Sequence, residues 1–175
     1  MNLYFDNNVL PDLIRAGVNP VAAVAGSEFV LSVTPDLAEE YRQAIENERV
    51  PVAEKELCRA LLIAATECGI FGFAEAGGAY SGFNHGMWAT NEMVEMIRST
   101  KITPRAGKVI PKNRTDAFLA ALSQGAVVVT NDTGGHYKRA KAAGLHVYSW
   151  SEIYAEEKAP SDLARKLRTL LTRLT

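Results

Sequence analysis

The ten residues from Ala126 to Gly135, Ala-Val-Val-Val-Thr-Asn-Asp-Thr-Gly-Gly, constrain the fold of this chain more than any other stretch. Three successive valines make a short, continuously apolar run, which suits a strand buried on both faces of a parallel sheet. The run stops at turn-forming polar residues and glycines, so Asp132 is expected where a central strand ends. In open α/β sheets, ligands bind in the crevice outside the carboxyl ends of the strands, and an acid at that point is well placed for chemistry. Asn131 and Asp132 also form turns by bonding their own backbone, and taken alone the stretch favours that reading.

The same grammar opens the chain: Leu3, Tyr4 and Phe5 read as a strand that ends at Asp6 and is followed by Asn7 and Asn8. Val9, Leu10, Leu13 and Ile14 then have helical spacing, with Pro11 fitting only the first turn and Gly17 a plausible stop. Phe29 to Val33 reads as a second strand, with Thr34 as N-cap of a helix from Pro35 to about Asn47. Leu37, Tyr41, Ala44 and Ile45 form the apolar stripe of that helix, and Glu40 lies on or beside it, while Glu39 points elsewhere. A rotation of the stripe would exchange the two glutamates. An inward carboxylate needs a metal, an arginine or several donors.

Ala53 to Thr66 is a further amphipathic helix. From Gly69 to Gly86 the composition becomes glycine-rich with interleaved Phe71, Phe73, Tyr80 and Phe83, and we read a mobile excursion that contacts ligand or a second subunit. A helix from about Thr90 to Ser99 follows. No acid lies between Glu95 and Asp116, whereas Arg98, Lys101, Arg105, Lys108, Lys112 and Arg114 all do. That is a basic segment in a chain of net charge −1, and either a solvated face or a surface for phosphate accounts for it. Thr115 is placed as the cap of a helix from Asp116 to about Gln124, where Asp116 is favoured by the helix dipole. Lys138 to Ala143 suggests one more helix, Leu145 to Tyr148 a strand, and Ser161 caps a last helix (161–174) with a leucine stripe that either pads the sheet or makes a dimer seam.

With 175 residues the chain suits one domain. Cys58 and Cys68 lack the partners of a zinc site and read as reduced thiols. No stretch is apolar enough to span a membrane, and Met1 to Asn8 has neither the basic start nor the apolar core of a signal sequence, so a cytoplasmic protein is expected. Alternating strands and helices predict an α/β domain, a three-layer α/β/α sandwich around a mostly parallel sheet. Right-handed crossovers then bring Asp6 and Asp132 to one sheet edge, with Glu40 and Asp116 on helices able to face it. Four carboxylates in one cleft repel unless a cation lies between them, and a set of hard oxygen donors suits Mg²⁺ or Mn²⁺.

Asp6-Asn7-Asn8-Val9-Leu10 after a strand, Glu40 within Thr-Pro-Asp-Leu-Ala-Glu-Glu-Tyr, Asp116 opening Asp-Ala-Phe-Leu-Ala-Ala-Leu, and Val-Thr-Asn-Asp closing a later strand together resemble the PIN domain family. The similarity runs in order from about Met1 to Ile153, around an unusual middle from about 69 to 112. The resemblance implies a metal-dependent endoribonuclease in which Asp6, Glu40, Asp116 and Asp132 hold one or two metal ions. It also implies that Asn8, Thr130 and Asn131 orient carboxylates or metal-bound water, and that the basic segment holds RNA phosphates. The toxin of a toxin–antitoxin pair, with an antitoxin protein as partner, is the physiological form it suggests. A housekeeping PIN nuclease and a non-catalytic RNA- or protein-binding module are the alternatives. Small toxin-type members often carry further acids after the last motif, where this chain has Thr133 to Tyr137. His136 reads as a solvated loop histidine or as a phosphate contact.

Overall fold

The structure, a computed structural model, describes residues 1–71, 86–107, 110–111, 113–154 and 163–172. Five parallel strands form its sheet in the order β3-β2-β1-β6-β7: β1 (Asn2–Phe5), β2 (Val30–Val33), β3 (Thr66–Glu67), β6 (Val127–Val129) and β7 (Val147–Tyr148). Leu3, Tyr4, Phe5 and all three valines of β6 are buried, as a sheet covered on both faces requires. The middle strand is β1, and β6 pairs beside it with Leu3, Tyr4 and Phe5 opposite Val127, Val128 and Val129. The expected three-layer α/β/α sandwich is therefore present, and its sheet is parallel throughout.

Chain direction across the sheet explains where a site can form. From β1 the chain steps outward through β2 to β3, then returns to the other side of β1 to add β6 and β7. Helices α1 (Leu10–Arg15), α2 (Pro20–Val24), α3 (Pro35–Glu46) and α4 (Val52–Ala64) belong to the first half. Helices α5 (Asn91–Arg98), α6 (Arg114–Leu122) and α7 (Gly135–Ala142) belong to the second. Right-handed crossovers in opposite directions assign the two sets to opposite faces, with α3 packed on α4 and α6 on both α5 and α7. The strand order reverses between β1 and β6, and a crevice opens at such a switch point.

Several elements follow their sequence signals. Thr34 Oγ1 accepts from Leu37 N at 3.0 Å, capping α3, and Thr90 does the same for α5 through Met93 N. Pro11 sits in the first turn of α1, which is preceded by a short 3-10 turn over Asn7–Val9. Other elements depart from expectation. Helix α6 starts at Arg114, and its N-cap is Asn113 in a left-handed conformation with φ 65° and no side-chain cap bond. Thr115 is thus inside the first turn, not the cap.

The Asn19-Pro20 pair beyond Gly17 begins a helix that the sequence signals did not suggest, α2, with Asn19 Oδ1 accepting from Val21 N and Ala22 N. The sequence reading also missed the two-residue edge strand β3, the separate parallel pair β4 (Gly69–Phe71) with β5 (Gly86–Trp88), and α8 (Trp150–Ile153) behind its Ser149/Glu152 capping box. The rest of the glycine-rich excursion, with Phe73, Tyr80 and Phe83, lies outside the described residues, as do Ser161 and Leu174. In α9 (Leu163–Thr172) the leucines Leu163 and Leu167 are buried. Lys166 on the same helix is buried too, with its ammonium 3.8 Å from the centre of the Tyr154 ring. Arg168 clamps the same helix to Glu28 through two bonds of 2.7 and 2.6 Å. No helix among the described residues is long and apolar enough to cross a membrane.

Candidate active site

Asp6 follows the last residue of β1 directly, and its backbone N–H continues the ladder to Val129 O at 2.9 Å. Its carboxylate is only 4% exposed and has no cationic partner among the described residues. Neutral donors hold it instead. Thr130 Oγ1 donates to Asp6 Oδ2 at 2.7 Å and Asn8 Nδ2 donates to the same oxygen at 2.8 Å. Tyr137, buried on the first turn of α7, brings its hydroxyl to 3.4 Å from Asp6 Oδ2 and 3.5 Å from Asp116 Oδ1. Burial pushes the Asp6 carboxyl up to about 6, with Asp116 and Asp132 adding repulsion and the Thr130 bond opposing.

Glu40 comes from the middle of α3, on the side predicted from the helix spacing. Glu39 bonds within its own helix surface, to Gln43 and Arg42, so the alternative between the two glutamates resolves toward Glu40. Thr115 Oγ1 donates to Glu40 Oε1 at 2.6 Å. Burial pushes Glu40 up to about 7, and Asp6, Asp116 and Asp36 raise it further against the Thr115 bond. Asp116 is raised too, by burial first and Asp132 second, with the Tyr137 hydroxyl and Arg105 drawing it down. Asp6 and Asp116 lie near enough to Glu40 to raise its carboxyl, and Asp132 lies near enough to Asp6 and Asp116 to raise theirs.

Asp132 satisfies both of its readings. Its Oδ1 accepts from Gly134 N at 2.6 Å, forming the expected turn, while its charge bears on Asp6 and Asp116. A Cβ at 134 would stand 3.0 Å from that carboxylate oxygen, so any larger residue there would push the Asp132 side chain aside by a few tenths of an ångström. Thr130 accepts from Asp132 N at 3.0 Å as well as holding Asp6, so one hydroxyl joins the Asp6 carboxylate to the Asp132 backbone. Asn131 is placed differently from expectation. Its amide bonds Asp12 and the Asn8 backbone, and its Oδ1 receives Trp150 N, so it ties α1, α8 and the β6 terminus together without touching a cleft acid.

The basic segment divides. Arg98 is exposed beside Glu95, Lys101 is exposed, and Arg105 is exposed near enough to Asp116 to lower its carboxyl. Lys108 and Lys112 lie outside the described residues. Arg114 is a correction: it makes a two-pronged pair of 2.8 Å bonds with Asp36, both side chains nearly buried, which binds α6 to α3 and removes it from the phosphate-facing set. His136 is another, since it stands half-buried on α7 with Nε2 3.9 Å from Asp116 Oδ2. Burial and Arg139 lower its pKa, so it is neutral at physiological pH.

The chemistry of this donor set fits a hard divalent cation: carboxylate oxygens, neutral hydroxyls and amides, and no lysine or arginine bonded to Asp6 or Glu40 among the described residues. Among the described residues, however, no three of these groups stand close enough as placed to hold one ion. Shared occupancy therefore requires the side chains to draw inward. Tyr137 is the site residue that sequence reading missed; its place two residues beyond Gly135 becomes a signal only once α7 is known to start there. No family model matches the chain, and no curated protein matches it either.

Proposed function

We propose that this chain is a divalent-metal-dependent endoribonuclease of the PIN type, located in the cytoplasm and acting as the toxin of a toxin–antitoxin pair. The observation that carries the reading is the convergence of Asp6, Glu40, Asp116 and Asp132 at the topological switch point, with the carboxyls of Asp6, Glu40 and Asp116 raised in a way that a bound cation would relieve. Bound there, Mg²⁺ or Mn²⁺ supplies a water of lowered pKa and positive charge for the leaving oxygen of a phosphodiester. The chain's own residues do the rest. Asp6, Glu40, Asp116 and Asp132 would hold the metal, and Thr130, Asn8 and Thr115 keep two of those carboxylates aimed. Tyr137 ties Asp6 to Asp116 from beneath. Arg105, with Lys101 and Arg98 farther along, holds the RNA backbone at the rim, where binding falls steeply with salt.

Cleavage of single-stranded and hairpin RNAs with Mg²⁺, with Mn²⁺ and with chelator tests this reading against Asp6→Asn and Asp116→Asn. Metal-dependent cutting by native protein and none by the folded variants supports it. The absence of a three-donor cluster among the described residues favours a second reading, a binding module without catalysis. Salt-dependent retention of RNA with no cutting under any metal would select that one. An adjacent gene for a small partner protein separates the toxin from a housekeeping nuclease.

A further inference from the structure

Beside the acid cluster, and sharing Glu40 with it, lies a groove of about 520 Å³ between the Asn7–Val9 turn, α3 and the start of α4, with Gly107 on its margin. That volume is in the range of small-molecule sites. Its polar lining is Asn7, Glu40, Gln43, Glu46, Asn47 and Glu54, of which only Glu40 belongs to the cleft described above. The lining is dominated by hydrogen-bond acceptors. Gln43 Nε2 donates to Glu39 at 3.1 Å, which leaves its carbonyl oxygen available. Asn47 Oδ1 accepts from Arg49 N at 3.0 Å, which leaves its NH2 as a donor. Glu46 and Glu54 have no ion pair among the described residues. Asn7 Oδ1 is buried with no hydrogen-bond partner among them. A buried carbonyl oxygen left unpaired is unfavourable.

Building on the nuclease reading, we infer that this groove is the subsite for the nucleobase next to the cleaved bond and that it takes guanine. An acceptor-rich wall selects a donor-rich edge. Guanine alone among the RNA bases presents two adjacent donors, N1–H and N2–H2, on its Watson–Crick edge, and a carboxylate accepts both in parallel. Its O6 suits the Asn47 NH2. Single-stranded bases are read on that edge once splayed from the stack. Carboxylates along the wall repel phosphate, so the backbone stays at the rim, where Arg105 stands two residues from Gly107.

The test compares native protein, Glu46→Gln, Glu54→Gln and the double variant on RNAs carrying each base, or inosine, beside the cut. Binding of guanosine, inosine, uridine and arginine is followed in parallel through the side-chain amide NMR signals of Asn7 and Asn47. Native protein is expected to cut beside guanine about tenfold faster than beside other bases, and inosine, lacking the N2 amino group, to lose about that factor. The double variant levels guanine with the other bases and leaves their rates unchanged. Cutting without base preference, or a guanine preference that the double variant keeps, overturns the subsite while the nuclease stands. If no RNA is cut, the nuclease reading fails and the titration decides the groove: shifts with guanosine that inosine reduces and the double variant abolishes uphold it. Equal shifts with guanosine and uridine, or shifts with arginine alone, overturn it.

Discussion

Two carboxylates on neighbouring elements of this molecule are buried in opposite ways. Asp36, in the first turn of α3, meets the guanidinium of Arg114 across two short bonds, and burial still lifts its carboxyl above the ordinary value with the cation offsetting only part. Asp6, at the end of β1, is buried more completely and meets hydroxyls, an amide and other acids. The first arrangement is complete as it stands and fastens two helices together. The second is held at the expense of stability and becomes favourable only when positive charge arrives. An acid that fastens the fold and one left for a cation, as proposed for Asp6, can thus be told apart by what neutralises them.

The sharpest way to break the comparison is to remove charge from each side. Asp6→Asn keeps the shape and most hydrogen bonds, so metal-dependent RNA cleavage should fall by about a thousandfold or more, measured by single-turnover kinetics, while the fold persists. Arg114→Met should leave Asp36 buried and unpaired, lowering unfolding free energy by about 3–5 kcal/mol in urea titrations, whereas Asp36→Leu with Arg114→Met should recover most of that loss. If the single and double variants were equally unstable, the pair would not be the fastener described.

A smaller effect follows from pH. Asp6 and Glu40 titrate in the folded protein near 6 and 7, above their ordinary values, and Asp116 and Asp36 shift the same way. Between about pH 4 and 7 the native state therefore holds protons that the unfolded chain has released, and stability falls as pH rises through that window. In chelator, the metal-free protein should be about 4 kcal/mol less stable at pH 7.5 than at pH 5, which calorimetry at both values reads out. Asp6→Asn should flatten that slope, and adding Mn²⁺ at pH 7.5 should restore the lost stability. The smallest change is Tyr137→Phe, which removes one hydroxyl bridging Asp6 and Asp116. It should cost about 1 kcal/mol by denaturant titration and raise the Asp116 carboxyl further. An unchanged midpoint would mean that the bridge is idle.

What could be read from the sequence was set by how local the cause is. The valines of β6 and the Leu3–Phe5 run announce buried parallel strands because such strands are apolar at successive positions, and an acid at each end is visible without knowing the fold. Helical spacing points to Glu40, but the choice against Glu39 needs the contacts of both side chains. Arg114 was misread because its partner Asp36 lies 78 residues away, and a basic run gives no hint that one member is claimed by the core. Asn131 and Tyr137 depend on where α7 and α8 begin, which glycine and serine signals locate only to within a turn. Thr115 was assigned to a cap that the left-handed Asn113 makes unnecessary, which freed its hydroxyl for Glu40. Edge strand β3, two residues long and exposed, has too little burial to leave a pattern.

The central position of β1 also has a consequence in time. Its neighbour on one side is β2, close behind it in the chain, but its neighbour on the other is β6, which leaves the ribosome only after most of the protein has been made. At a synthesis rate of about 5–20 residues per second, the first acid of the cleft waits several seconds for Thr130 and Asp132 to arrive. A chain made only as far as α3 thus carries Asp6, held by Asn8, and Glu40, but not yet Thr115, Thr130 or Asp132, so the proposed cutting centre is incomplete until β6 has been laid down.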